Sequence, residues 1–385
     1  MPTFKYVEIA GTPKQRGRQY GEQARDEIAK SLDYYRELTG TMGGLTWPDL
    51  TARATRWLPL IEKLSPDLLE EAAGVAEGAG ITFADVLTLN ARGEIVYDPT
   101  FSQAEDRMPA GGPSECSSFA LMPEATGDEH VYCGQNWDWR AATQETVIVL
   151  RVVQPPKPTV ITVVEAGQVG RHGVNSAGIA LNANGLGGRF SDEIGVPQTF
   201  IRRAILDSAG FKDALDVPFF HRQQIAANLL LTHRAGFAID IESTPARHNW
   251  LYPDAGLLVH TNHYRGAIPI PIEAEYRPYS TDTLYRVAIL EKALRRCASA
   301  GSSKEVDALI QSGLTDHFGF PDSVCNHVDP ASPTLLQDKT IMSQITDLTT
   351  GEVRLTVGNP CEQSFDRLPW NALDGPSGAS PPSRT

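Results

Sequence analysis

The chain has no apolar run approaching the ~18 residues of a membrane span, no CxxC pair and no excess of basic charge. Each absence excludes a class of function. No transmembrane helix is expected, and the opening MPTFKYVEIAG lacks the apolar stretch of a secretory signal. The expectation is a cytoplasmic location. With 34 Lys+Arg against 47 Asp+Glu the formal charge is −13, whereas a duplex-binding chain needs a basic stripe against phosphate. The densest basic pairs, Arg202-Arg203 and Arg295-Arg296, read as solvated helix faces. The partner expected is therefore a small molecule, with no nucleic acid and no membrane. Cysteine is scarce: Cys116, Cys133, Cys297, Cys325 and Cys361 form an odd set at irregular spacing. That argues against a disulfide framework or a zinc ribbon, and for a reducing compartment. Neither a metal nor a cofactor is expected.

What is present suits a large folded core. Hydrophobic residues make up 41% of 385 positions, which excludes a wholly disordered chain and allows two to three domains or one layered α/β body. Residues 4–10 alternate as a strand. Helical spacing follows over 20–38 and 48–64, then over 66–77 behind Ser65 and Pro66, and over 83–92 behind a Thr82-x-x-Asp85 capping box. Residues 98–115 are rich in Pro, Gly and Ser and read as an exposed loop. The chain then turns β-like: CSSFALM, VYCGQNWDW, VIVLRVV, TVITVVEAG and GVNSAGIALNANG are short runs separated by turn signals. Helix is expected again over 199–233, then a hairpin-like GFAIDIES and GLLVHTNHY. An amphipathic helix over 281–299, a shorter one over 303–312 and a closing hairpin, TIMSQITDL to EVRLTVG, complete the reading. The tail 371–385 reads as disordered. This order suits a layered α/β architecture without βαβ repetition.

Three places can carry chemistry. Cys116 stands where the loop meets a strand. A thiol attacks as thiolate and needs a base or a cation beside it. Asn136 and Asp138 alternate with Trp137 and Trp139, so the polar pair shares one strand face. A carboxylate there can orient an ammonium, and Asn136 and Trp137 are candidates to bind substrate. His260-Thr-Asn-His263 invites a metal, but on a strand the two imidazoles point to opposite faces. Asn262 is better read as an amide donor to an oxyanion.

Cys116-Ser-Ser-Phe followed by Gly134-Gln-Asn-Trp-Asp138 resembles the isopenicillin N acyltransferase family of the N-terminal-nucleophile (Ntn) hydrolases. GTPKQRGRQYGEQAR, GVNSAGIALNANG, VHTNHY, TLYRVAILE and VGNP-Cys361 match the same family in the same order. The resemblance implies a four-layer αββα sandwich and a precursor that cuts itself between Glu115 and Cys116. Residues 1–115 would form a mostly helical segment, and 116–370 the body carrying the nucleophile, with the two cleaved chains remaining associated. By resemblance Cys116 is the nucleophile, Asp138 orients its freed amine, and Asn262 serves the oxyanion. Asn184 is a pocket asparagine, a role for which Asn182 competes. One departure stands out: the family commonly has arginine where this chain has Asn326. The reaction expected is hydrolysis of a small N-acyl amide through a Cys116 thioester. The alternative is transfer of the acyl group to an amine. From other classes, a Cys–His enzyme using His260, His263 or His327, or a non-catalytic binding protein, stays open.

Overall fold

Local signals set the helical start of the chain. The computed structural model describes residues 3–42, 46–97, 116–188, 190 and 194–375. After strand β1 (Lys5–Ala10), Thr12 caps α1 (Pro13–Gln23), and α2 (Arg25–Met42) follows. Thr46 caps α3 (Trp47–Ala54), α4 (Leu58–Leu64) comes next, and Ser65 caps α5 (Pro66–Ala79). Thr82 closes its capping box with Asp85 over α6 (Phe83–Asn90), and α7 (Arg92–Tyr97) ends the run. Helices α1 and α5 cross at glycines. A Cβ on Gly17 would lie 1.9 Å from the Glu71 carbonyl oxygen, and one on Gly78 would lie 2.1 Å from that of Arg18. Any side chain there would force the pair apart.

The remaining elements build two sheets. They are β2 (Ser117–Leu121), β3 (Tyr132–Arg140), β4 (Val147–Val153), β5 (Val160–Glu165), β6 (His172–Asn175) and β7 (Ile179–Gly185), then α8 (Gln198–Leu206) and α9 (Phe211–Phe220). After these come β8 (Ala227–His233), β9 (Phe237–Ser243), β10 (His248–Leu251), β11 (Leu257–His260), α10 (Asp282–Leu294), α11 (Ser303–Leu314), β12 (Asp338–Asp347), β13 (Glu352–Val357) and β14 (Asp366–Arg367). One sheet runs β1-β4-β5-β6-β7-β8-β9-β10 and the other β11-β2-β3-β12-β13-β14. Every pairing is antiparallel except β1 with β4.

Strand alternation sorts the apolar side chains into three cores. Ile148, Leu150, Leu229 and Leu231 face outward onto Tyr20, Ile28, Val75 and Phe200 of the first helical layer. Val149, Val163 and Leu230 face inward and meet Ala120, Trp137 and Met342 of the second sheet. On that sheet's far side Phe119, Leu121 and Ile345 pack on Leu290, Val306 and Ile310 of α10 and α11. Three cores separate four layers, helix–sheet–sheet–helix, so the αββα architecture holds.

Three expectations change. The helix expected to reach 233 ends at Phe220, because Ala227–His233 is a central strand with Leu230 on one sheet face and Leu229 and Leu231 on the other. A short apolar run buried on both faces carries no period to identify it. GFAIDIES and GLLVH are not a hairpin: β9 pairs with β8 and β10, while β11 joins the other sheet beside β2. The stretch from 371, expected to be disordered, begins with Ala372 and Leu373 buried and Ala372 N–H donating to Gly351 O at 2.8 Å. Residues 376–385, like the loop 98–115, lie outside the described residues.

Candidate active site

Cys116 immediately precedes β2. In the antiparallel register Ser117 stands opposite Asn136, so side chains of Ser117, Asn136 and Asp138 share the face toward α10 and α11. Cys116 belongs instead to the inter-sheet core with Trp137 and Trp139. Its sulfur is buried, 4.0 Å from the Asp138 carbonyl oxygen. Burial pushes the thiol up, the Arg171 charge pulls it down, the Asp138 carboxylate raises it, and Arg202 lowers it.

The two arginines make the thiol's surroundings electropositive. The Arg171 guanidinium lies 3.9 Å over the Trp137 ring. Arg202, on α8, is 3% exposed, and both burial and the Arg171 charge work against its own charge. The Arg202-Arg203 pair is thus no solvated face. Arg203 is wholly buried and bonds Glu71 at 2.6 Å and Asp207 at 2.7 Å.

Asp138 is buried on β3 and accepts a hydrogen bond from Thr340 Oγ1 at 2.5 Å. Burial pushes its carboxyl well above the usual range, against the Arg286 charge and the Thr340 hydroxyl, while Asp282 and Asp338 add to the rise. Asn262 follows β11. Its N–H donates to Thr283 Oγ1 at 2.8 Å, and its Nδ2 donates to Gly185 O at 3.1 Å.

Arg286 joins these residues, and sequence reading passed over it. It is fully buried on α10, inside the stretch read simply as an amphipathic helix. Its Nη1 donates to Cys116 O at 2.9 Å and to Ser117 Oγ at 3.0 Å, its Nη2 to Asn262 Oδ1 at 3.1 Å, and its Nε to Asp282 Oδ2 at 2.6 Å. One guanidinium therefore ties the nucleophile's backbone to the Asn262 amide. The signal available in sequence was Asp282 four residues before Arg286, an i, i+4 ion pair within a buried helix face.

The other expected residues divide. Asn136 does not reach the thiol. Its Nδ2 donates to Leu314 O at 2.8 Å and Val324 O at 2.7 Å, and its Oδ1 accepts from Ser343 Oγ at 2.6 Å. Those bonds hold the end of α11 to the sheet, so Asn136 is a fastening of the fold. Asn184 bridges the sheets, donating to Ser118 Oγ at 3.0 Å and to the carbonyls of His260 and Thr261 at 3.0 and 3.2 Å. Asn182 donates to Gln135 Oε1 at 3.3 Å. Trp137 is buried between the sheets, edge-on to His172 at 5.3 Å. Asn326 binds Thr340 through its backbone, N–H to Oγ1 at 2.9 Å and C=O from the Thr340 N–H at 2.9 Å. The charge expected near that position comes from Arg286 instead.

Imidazoles are committed elsewhere. His260 Nε2 lies 3.0 Å from Glu242, and His263 Nδ1 lies 3.0 Å from Thr283 Oγ1. His327 joins His317, Cys325 and Cys361, four metal-ligating side chains that linear spacing does not bring together. The expectation of no metal rested on that spacing.

The family model "Acyl-coenzyme A:6-aminopenicillanic acid acyl-transferase" matches residues 125–362. The chain belongs to this family. It is therefore an enzyme of the isopenicillin N acyltransferase group of Ntn hydrolases, acting on amide bonds. Asp138, Asn262 and Arg286 lie inside the match and Cys116 just before it. A curated relative, the acyl-coenzyme A:6-aminopenicillanic-acid-acyltransferase 40 kDa form of Emericella nidulans, is 29% identical over 267 residues, spanning 67% of this chain and 69% of the relative. Among solved structures, penicillin V acylase from Agrobacterium tumefaciens aligns with a TM-score of 0.38 and 13% identity, covering 63% of this chain and 83% of that one. A variant of conjugated bile acid hydrolase from Clostridium perfringens aligns at 0.41 and 10%, covering 63% and 89%.

Proposed function

We propose that this acyltransferase-family chain cuts its own Glu115–Cys116 bond, then uses Cys116 to hydrolyse the amide of a small N-acyl compound. The observation that carries this is the grip of Arg286 on both Cys116 O and the Asn262 amide. Nucleophile and oxyanion donor are thereby held by one side chain. In maturation, Cys116 Sγ attacks the Glu115 carbonyl carbon and the peptide nitrogen leaves as the Cys116 amine. Water then hydrolyses the thioester, releasing the Glu115 carboxylate and restoring the thiol. Glu115 itself lies outside the described residues.

The freed α-amine titrates near ~7.7–8.0 and takes the thiol proton. Arg171 and Arg202 favour the thiolate that results. The thiolate attacks the substrate carbonyl, and the oxygen that gains charge accepts from Asn262 Nδ2–H. The leaving amine takes the proton, and water releases the acid from the Cys116 thioester. Asp138 orients the Cys116 ammonium, and Asn184 and Trp137 line the approach. The two pieces remain together because β1 pairs with β4 along Lys5–Ala10, Arg16 and Arg203 share Glu71, and Arg92 pairs with Glu165.

A second reading, acyl transfer to an amine, draws on the name of the Emericella relative. Matured enzyme incubated with an N-acyl amide, with and without a free amine, separates the two. Free acid whose yield ignores the amine supports hydrolysis. A new amide formed at the acid's expense supports transfer. No turnover of amides or thioesters in matured enzyme would overturn both.

A further inference from the structure

We propose that His317, Cys325, His327 and Cys361 form a structural Zn²⁺ site. The four ligand atoms, two imidazole nitrogens and two sulfurs, lie within 4.8 Å of one another. His317 Nε2 is 3.1 Å from His327 Nε2, and His327 Nε2 is 3.5 Å from Cys325 Sγ and 3.4 Å from Cys361 Sγ. The two sulfurs are 3.5 Å apart. A tetrahedral ion with Zn–N of about 2.0–2.1 Å and Zn–S of about 2.3 Å spaces its ligands at about 3.3–3.4 Å for N–N, 3.5–3.6 Å for N–S and 3.8 Å for S–S. The observed edges are close to all three. Two thiolates and two neutral imidazoles also cancel the charge of a dication, and an S₂N₂ set selects a borderline-soft metal.

Groups around the cluster suit a metal rather than a disulfide. A disulfide needs sulfurs at about 2.05 Å and has no use for two converging imidazoles. His327 presents Nε2 to the cluster, while its Nδ1 lies 3.9 Å from the Glu362 carboxylate, the side from which a ligating histidine is usually oriented. Asn359 Nδ2 donates to Cys325 Sγ at 3.5 Å, a bond that favours thiolate. All four positions would be filled by protein, which is the closed arrangement of a structural ion and leaves no place for substrate.

The placement explains what the ion would hold. His317, Cys325 and His327 lie on the segment after α11, and Cys361 lies after β13. Asn326, between two ligands, engages Thr340 with both its backbone groups, and Thr340 donates to Asp138. Asn359 also donates to Asn326 O at 2.7 Å. Zinc would thus fasten the strap that positions Thr340 against the catalytic-site aspartate, and take no part in the chemistry itself.

The test is metal content and coordination in the full-length protein, purified without chelator. About one Zn²⁺ per chain is expected. Exchange with Co²⁺ should give the intense visible bands of tetrahedral thiolate coordination. His317→Gln and Cys361→Ser alter exposed ligands, so the fold should survive; each should lose the metal and the Co²⁺ spectrum. Chelation should lower Tm in the parent protein and leave Cys361→Ser unchanged. Parent protein that takes up neither ion, or takes up metal equally with and without these two ligands, would overturn the site. So would recovery of a Cys325–Cys361 disulfide from protein handled under reducing conditions.

Discussion

Arg286 Nη2 donates to Asn262 Oδ1 at 3.1 Å, and that bond decides which end of the amide is left to give hydrogens. With its oxygen taken by a cation, Asn262 presents Nδ2–H, the end an oxyanion needs. Asn262→Ala should therefore lower kcat in already matured enzyme by about 10²–10³-fold with little change in KM. Steady-state kinetics and melting of the same sample check this. A large fall in Tm with normal kcat would reduce Asn262 to a fastening beside Thr283 and Gly185.

Asn136 should behave in the opposite way. It ties Leu314 O, Val324 O and Ser343 Oγ in a fully buried setting. Asn136→Ala leaves two carbonyls without their donor and should cost about 2–4 kcal/mol of stability. Turnover per folded molecule should stay near that of the parent. Denaturant unfolding and active-site titration measure the two quantities separately. A substrate-binding role would instead appear as a raised KM with stability intact.

The buried arginines give a pH prediction. Arg202 lowers the Cys116 thiol against the rise caused by burial. Removing that cation disfavours thiolate, so the thiol pKa rises in Arg202→Met. The alkaline shift should appear in the rate of iodoacetamide alkylation of Cys116, whose midpoint moves to higher pH than in the parent protein. A midpoint that stays in place or moves down would remove Arg202 from the thiol's electrostatic surroundings.

Much of this was readable because it is local. Ser65 and Thr82 announce their helices through caps that need three or four residues, and the structure contains both bonds. Cys116 and Asp138 were legible from a loop-to-strand change and an alternating NWDW. Asn136 misled because alternation fixes a face but not what covers it. Leu314 and Val324 arrive from nearly two hundred residues away. Arg286 was hidden inside a helix whose amphipathic pattern already had an ordinary explanation. The His317, Cys325, His327 and Cys361 cluster was invisible for a related reason. Its last ligand comes 34 residues after His327, across a strand hairpin, so no compact motif records it.

The central claim is that Cys116 becomes an N-terminus before it becomes a catalyst. Intact mass and N-terminal sequencing of active enzyme, beside Cys116→Ala, test it most directly. The expected result is two pieces of 115 and 270 residues, the larger beginning Cys-Ser-Ser-Phe, with Cys116→Ala uncut and inactive. Full activity in a single chain with the Glu115–Cys116 bond intact would contradict the account.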